Sequence, residues 1–444
     1  MRQRRLRAVA LLCLAALGAA PPAPGGEHPP EPADTRQELW RRLREQKRAR
    51  VHRYEPAWLE ARILELEKAE RPSILDVDIA GIYPRVQGLA KGSKNAIGGR
   101  LWHADLGGSP IDLHASAFYS VSSYEFYDVQ LGVIPSAPPT PRGRVPLPHK
   151  STRGDDVFEL AALRVPGASW GLYASARYAH STRLPFFGLG PGSRRSDETT
   201  FLQREARYEI VAARSLGNRV YAAASAGLVE SGIGPGEDME YPSTDEIFGG
   251  AGLPGLADQP DYWRVGVVAM ADGRDVVRNP KRGVVLAIEV DRYADRGGGL
   301  FSFTRYAGDL RGFATLSSPQ RVIALRAYGS LDDADPGAEV PFYLQETLGG
   351  SHDLRGFRNF RFRGTKLALF QAEYRWEMVP ALELALFVDT GAVAGAGEDL
   401  RLGHRRTSWG GGLRLKTPSS FLARLEWARS AEGSRFYLRL SPAW

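Results

Sequence analysis

Gly349-Gly350-Ser351-His352-Asp353-Leu354-Arg355-Gly356-Phe357 is followed by Gln371-Ala372-Glu373-Tyr374-Arg375 and then by Phe387-Val388-Asp389-Thr390-Gly391. A cation on a glycine-hinged loop thus precedes two carboxylates on two segments that read as strands. Around the second stretch, Phe370, Ala372, Tyr374 and Trp376 alternate with Gln371, Glu373, Arg375 and Glu377. That is the period-two signature of a strand with one apolar and one polar face.

The same alternation fills the chain from about Ile74 onward. Ile111, Leu113, Ala115, Ala117 and Tyr119 alternate with Asp112, His114, Ser116, Phe118 and Ser120. Near the end, Phe436, Leu438 and Leu440 alternate with Arg435, Tyr437 and Arg439, and the chain closes on Trp444. In a soluble sandwich the apolar face packs inward. In a transmembrane barrel it faces lipid, and the charged face lines a wet lumen. Charges recur on the polar face of strand after strand, which favours the barrel, and closure removes the sheet edges that lipid would not tolerate. Aromatics cluster at Phe118, Tyr119, Tyr124, Phe126 and Tyr127, as an interfacial girdle would require. The expected fold class is all-β: a transmembrane antiparallel barrel of about sixteen strands, each with its turn using about 23 residues of the segment 73–444. Gly- and Pro-rich loops are expected at Pro135 to Pro148, Gly188 to Arg195, Gly232 to Pro242 and Gly249 to Pro260, with a short turn at Gly107-Gly108-Ser109-Pro110.

The first residues carry a different message. Arg2, Arg4, Arg5 and Arg7 precede the apolar run Ala8 to Ala20, so residues 1–20 read as a signal peptide. Residues 21–34 are a Pro- and Gly-rich linker. Residues 35–72 read as a periplasmic helical extension of two charged helices, the first opened by the capping-box pair Thr35 and Glu38, the second by Pro56. The only cysteine, Cys13, lies inside the apolar run, so the processed chain would have no thiol for a disulfide or a metal. Four of the seven excess positive charges lie in the signal, leaving about +3, which is no nucleic-acid-binding surplus. Mean hydropathy is −0.30, which excludes a polytopic helical membrane protein.

No H-E-x-x-H, G-x-S-x-G, phosphate-binding loop or dinucleotide fingerprint occurs. The expectation is a protein that is not an enzyme and carries no cofactor or metal. His114 and Ser116 share one face of a strand, and such a pair is the only hint of hydrolytic chemistry on the barrel.

The ordered motifs resemble the bacterial surface antigen (Omp85) superfamily, the BamA/TamA-type outer-membrane barrels. Asp272-Gly273-Arg274 with Pro280 and Gly283 is similar to a family hairpin. Leu354-Arg355-Gly356-Phe357 looks like the lumenal loop motif, Glu373 lies on the strand after it, and Phe387-x-Asp389-x-Gly391 looks like the next strand's motif. Gly410-Gly411-Gly412-Leu413-Arg414 and a final strand ending in Phe436, Leu438, Leu440 and Trp444 follow in family order. The resemblance implies that the loop folds into the lumen and that Arg355 pairs with Asp389, with Glu373 nearby. It implies a place in the outer membrane of a Gram-negative-type bacterium, and a role in insertion or translocation of proteins or lipids. The partners implied are outer-membrane lipid, client proteins and periplasmic partners, with no nucleic acid or nucleotide. Family members usually carry periplasmic POTRA domains, and the span between the linker and Ser73 is too short for one. The alternatives are a passive pore or structural surface barrel, and, from His114 and Ser116, an outer-membrane lipid hydrolase.

Overall fold

A computed structural model describes residues 82–88, 95–120, 123–134, 170–217, 219–276, 279–416 and 421–439, together with Glu38, Arg41, Arg42, Glu45 and Gln46 near the N-terminus. Those five residues are helical and exposed, and Arg41 Nε lies 3.2 Å from Glu45 Oε1, a solvated pair one helical turn apart. They belong to a separate N-terminal unit, residues 1–57. The expected signal peptide, linker and second helix, and the span in which no POTRA domain was expected, lie outside the described residues.

Among the other described residues the chain forms one antiparallel sheet of sixteen strands in sequence order, interrupted once by a two-stranded insertion. The strands are β1 (Ile82–Gly88), β2 (Asn95–His103), β3 (Asp112–Ser120), β4 (Glu125–Val133), β5 (Trp170–Phe186), β6 (Thr199–Ser215), β7 (Val220–Pro235), β8 (Tyr262–Asp272), β9 (Gly283–Asp295), β10 (Phe303–Thr315) and β11 (Arg321–Ala334). After the insertion of β12 (Glu346–Leu348) and β13 (Phe362–Gly364) come β14 (Lys366–Val379), β15 (Leu382–Ala394), β16 (Arg406–Lys416), β17 (Phe421–Ser430) and β18 (Gly433–Arg439). No described helix is long and apolar enough to cross a membrane; the strands do the crossing.

The sheet is inside out relative to a soluble protein. On β8, Tyr262, Arg264, Met270 and Asp272 are buried, while Trp263, Val265 and Val267 are more than half exposed. On β9, Val284, Leu286 and Ile288 point out and Asp291 points in. On β14, Gln371, Glu373 and Arg375 are buried, with Phe370 and Trp376 outside. Lipid accounts for the exposed apolar face, because only apolar side chains rest there without loss. The sheet is rolled: Arg195, in the β5–β6 loop, donates to Glu432 O in the β17–β18 turn at 2.9 Å, and Arg406 donates to Pro191 O at 3.1 Å. Strands from opposite ends of the order meet over one end of the lumen, which a flat sheet would forbid. Among the described residues no ladder joins β1 to β18.

Strict up-and-down order puts the long connections 187–198, 236–261, 335–365 and 395–405 at one end, the loop end, and the turns at 104–111, 273–282 and 316–320 at the other. Gly107 to Pro110 lies at the turn end; the expected Pro-rich loop from Pro135 to Pro148 lies outside the described residues. The loop expected from Gly232 begins four residues later, since β7 continues to Pro235.

The expected aromatic girdle is corrected by half. Tyr119 and Tyr127 face outward, but Phe118, Tyr124 and Phe126 are at most 5% exposed. Alternation turns these three inward, where they join Phe186, Phe201, Phe342 and Tyr343 in an apolar plug beneath the loop end. At the C-terminal signal, Phe436 and Leu438 face outward on β18. Leu440 and Trp444 lie outside the described residues.

Candidate functional site

The connection between β11 and β14 does not stay above the barrel. Gly349 (φ +121°) and Gly350 (φ +99°) occupy backbone conformations that disfavour a Cβ, and there the chain reverses. A tight turn follows, with Phe357 N–H donating to Leu354 O at 3.0 Å. The tip, Ser351 to Phe357, is driven against the lumenal wall of β14 to β18. Leu354 and Phe357 are buried with Leu348, Phe362, Leu367 and Leu369, and the Phe357 and Phe362 rings meet edge-on at 5.2 Å. Gly356 comes so close to the wall that a Cβ there would lie 2.6 Å from Ser408 Cβ and 2.8 Å from Ser430 Cβ. Ser430 Oγ donates to Gly356 O at 2.7 Å and Gln371 Nε2 to Asp353 O at 2.8 Å, so tip carbonyls are satisfied by the wall.

Arg355 is fully buried at the centre. Its Nη2 donates to Asp389 Oδ1 at 2.7 Å and its Nε to Asp389 Oδ2 at 2.9 Å, a bidentate fork, and its backbone N–H reaches Asp389 Oδ2 at 3.2 Å. Its Nη1 donates to Glu373 Oε2 at 3.0 Å and Glu426 Oε1 at 3.4 Å. The guanidinium lies 3.3 Å from the Phe387 ring centroid, on the negative face of the ring. Gly391, two residues beyond Asp389, faces the loop, and a Cβ there would meet Leu348 Cδ1 at 2.9 Å. Phe387, Asp389 and Gly391 thus share one lumenal face and serve as ring platform, carboxylate and gap.

The wall adds residues that sequence reasoning did not single out as a site. Glu373 also accepts from Arg375 at 2.6 Å and from Arg414 at 2.5 Å. Glu426 accepts from Arg414 at 2.9 Å and from Arg424 at 2.5 Å. Arg424 donates to Ser351 O at 3.1 Å, back to the tip. Four arginines and three carboxylates therefore form one dry cluster, in which Glu373 and Glu426 are each shared among arginines while Asp389 is held by Arg355. The available signal was their place on the polar faces of β16 and β17, a property common to every lumenal position.

The remaining basic residues of the loop are also engaged. Arg361 donates to Glu432 Oε1 at 2.8 Å and to Ser193 Oγ at 3.0 Å, Arg358 pairs with Glu198 and Tyr241, and Arg363 is surrounded by the rings of Phe186, Phe201 and Phe342. The loop is thereby fastened to the connections that cover the loop end. At the turn end, Arg274 forks onto Asp272 at 2.9 and 2.8 Å. His114 and Ser116 both face inward on β3; the His114 ring lies 3.4 Å from that of Trp102, and Ser116 stands in register with Asp128. Among the described residues no group of His, Cys, Asp or Glu is arranged to hold a metal ion.

A rolled sheet with an apolar exterior, a charged lumen and an inward-folded loop defines an outer-membrane β-barrel with an occupied lumen. Residues 237–444 match the Omp85 superfamily domain, so this part of the chain carries the features of that superfamily. Among solved structures it is similar to BamA from Haemophilus ducreyi lacking POTRA domains 1–3, with a TM-score of 0.55 and 13% identity over 88% of this chain and 80% of that one. CdiB from Escherichia coli (11% identity, TM-score 0.48) and CdiB from Acinetobacter baumannii (14%, 0.45) also match, each over 82% of this chain and over 62% and 60% of theirs. At such identities the likeness is one of fold. No curated protein matches the chain in sequence.

Proposed function

We propose that this outer-membrane barrel assists the insertion or translocation of proteins, or of lipids, with the lumenal loop as an internal brace rather than a catalytic element. The observation that carries this reading is the seating of Arg355. One residue of one loop holds β14, β15 and β17 together through Glu373, Asp389 and Glu426. That part of the wall leads directly to β18, the end of the sheet, which among the described residues has no partner strand in β1. A brace close to this last strand supports a barrel that must keep its shape while a client passes or pairs with it. The filled lumen argues against a passive pore, since the loop and the aromatic plug occupy the path that solutes would take. Client proteins and periplasmic partners follow from this reading; outer-membrane lipid surrounds the exposed apolar face.

The test is quantitative proteomics of isolated outer membranes after depletion of the protein. Loss of a defined set of other barrels or exported proteins, at unchanged transcript level, is the expected result. An unchanged outer membrane would overturn the proposal and leave a structural surface barrel.

A further inference from the structure

A second line of charges leaves the Arg355 cluster and runs down the wall to the turn end. Arg414 Nη1 lies 3.5 Å from Glu383 Oε1. Lys416 Nζ lies 2.8 Å from Glu383 Oε2 and 2.8 Å from Glu377 Oε2. Lys281 Nζ, in the β8–β9 turn, lies 3.2 Å from Glu377 Oε2. Glu377 belongs to β14, so this last contact crosses the mouth of the barrel past β9, β10 and β11. The side chains grow wetter along the line: 2% exposed at Arg414 and Lys416, 5% at Glu383, 19% at Glu377 and 32% at Lys281. It is a single file of alternating sign, dry at the loop tip and open to solvent at the turn.

We infer that Lys281, Glu377, Lys416 and Glu383 are positioning residues for Arg414, and through it for Arg355, so that the β8–β9 turn sets how firmly the loop tip is held. The reason is that a charge in a low-dielectric wall cannot be left without a counter-charge, so each loss is met by a neighbour leaning over. Removal of Lys281 leaves Glu377 with Lys416 alone. Lys416 then leans away from Glu383, Glu383 draws Arg414, and Arg414 relaxes its hold on Glu373. Glu373 becomes freer for Arg355, and the tip tightens. Removal of the Glu377 charge works with the opposite sign. Lys416 turns to Glu383, Arg414 is released toward Glu373, and it competes there with Arg355, so the tip loosens. Loss of a cation anywhere along the file tightens, and loss of an anion loosens. Ordinary structural damage has no such parity, because it loosens whichever charge is removed.

The experiment reads the tip directly. Cys13 is the only cysteine of the chain, so Ser351→Cys in a Cys13→Ala background provides a single buried thiol at the tip. Its rate of labelling by a maleimide in the purified, folded barrel follows local opening of the tip. Lys281→Ala is expected to slow labelling and Glu377→Gln to speed it, each by about threefold or more, the low end for residues coupled in one network. Lys281→Arg should stay at the parent rate. Lys416→Met supplies a second cation loss, expected to slow labelling, should Lys281→Ala fail to give a heat-resistant folded band. Labelling that moves in the same direction for the cation and the anion loss, or that moves for neither, would overturn the inference.

Discussion

Replacing Arg355 with alanine removes the centre of the dry cluster, and the structure shows where the cost falls. Glu373 keeps Arg375 and Arg414, and Glu426 keeps Arg414 and Arg424. Asp389 is different. It is fully buried and loses both arms of the fork, keeping among the described residues Gln371 Nε2 at 3.1 Å and Ser408 Oγ at 3.4 Å beside the loop's own N–H. Breaking a buried pair by removing one partner costs about 3–5 kcal/mol, because a charge is left behind without compensation. At the lower figure the balance between a seated and a released tip shifts by more than about 100-fold. Limited trypsin digestion reads that balance, since Arg358, Arg361 and Arg363 remain on the loop and a cut there separates β1–β11 from β14–β18. Cleavage about 100-fold faster is expected for Arg355→Ala. The double variant Arg355→Ala/Asp389→Asn should recover about tenfold of it, because a neutral amide is cheaper to leave in the wall than a carboxylate. A single variant cut within about threefold of the wild-type rate would refute the reasoning, as would a double variant cut no more slowly than the single one.

Two further outcomes follow from the packing. Gly356→Ala forces a methyl group against Ser408 and Ser430, and should lower the stability of the folded barrel by about 1–3 kcal/mol in urea titrations followed by heat-modifiable migration, with partial relief from Ser408→Gly. In single-channel recordings the wild-type barrel should show a small, unsteady conductance, and Phe342→Ala should enlarge it by opening the plug of Phe186, Phe201 and Phe342; a large steady conductance in the wild type would favour the passive pore.

The architecture was legible because lipid imposes a pattern on every strand. Once Trp263, Val265 and Val267 face out, Arg264 and Asp272 must face in, and the period-two reading needs no knowledge of neighbours. Arg355, Glu373 and Asp389 stood out through motif order, and the three lie together in the lumen. Arg414 stood out only as the end of a glycine-rich motif, and Arg424 and Glu426 were not singled out as site residues, because the role of all three depends on depth. Arg414 pairs in register with Arg424, and Glu426 with Gly412, only for one choice of where β16 and β17 begin, and strand ends are set by turns that alternation does not mark. The aromatics near β3 and β4 show the complementary failure. Clustering suggested one girdle, but neighbours in sequence alternate between lipid and lumen, so Tyr119 and Phe118 serve different surfaces.

The charge cluster has a further consequence for register. Buried ion pairs contribute little net stability compared with well-packed apolar groups of similar size, since desolvation offsets most of the attraction. What the cluster adds is discrimination. A strand with weakly distinct faces could slip by one residue at small cost, whereas on β17 a slip would carry Arg424 and Glu426 from the dry network into hydrocarbon and bring Leu425 into the lumen. At the midplane a single arginine on the lipid face costs about 2–4 kcal/mol, and β14, β16 and β17 together would expose several charges at once. The arginines and carboxylates that seat the loop therefore also fix the alignment of the last strands. The loop can be braced only in the register that places Glu373, Asp389 and Glu426 around Arg355.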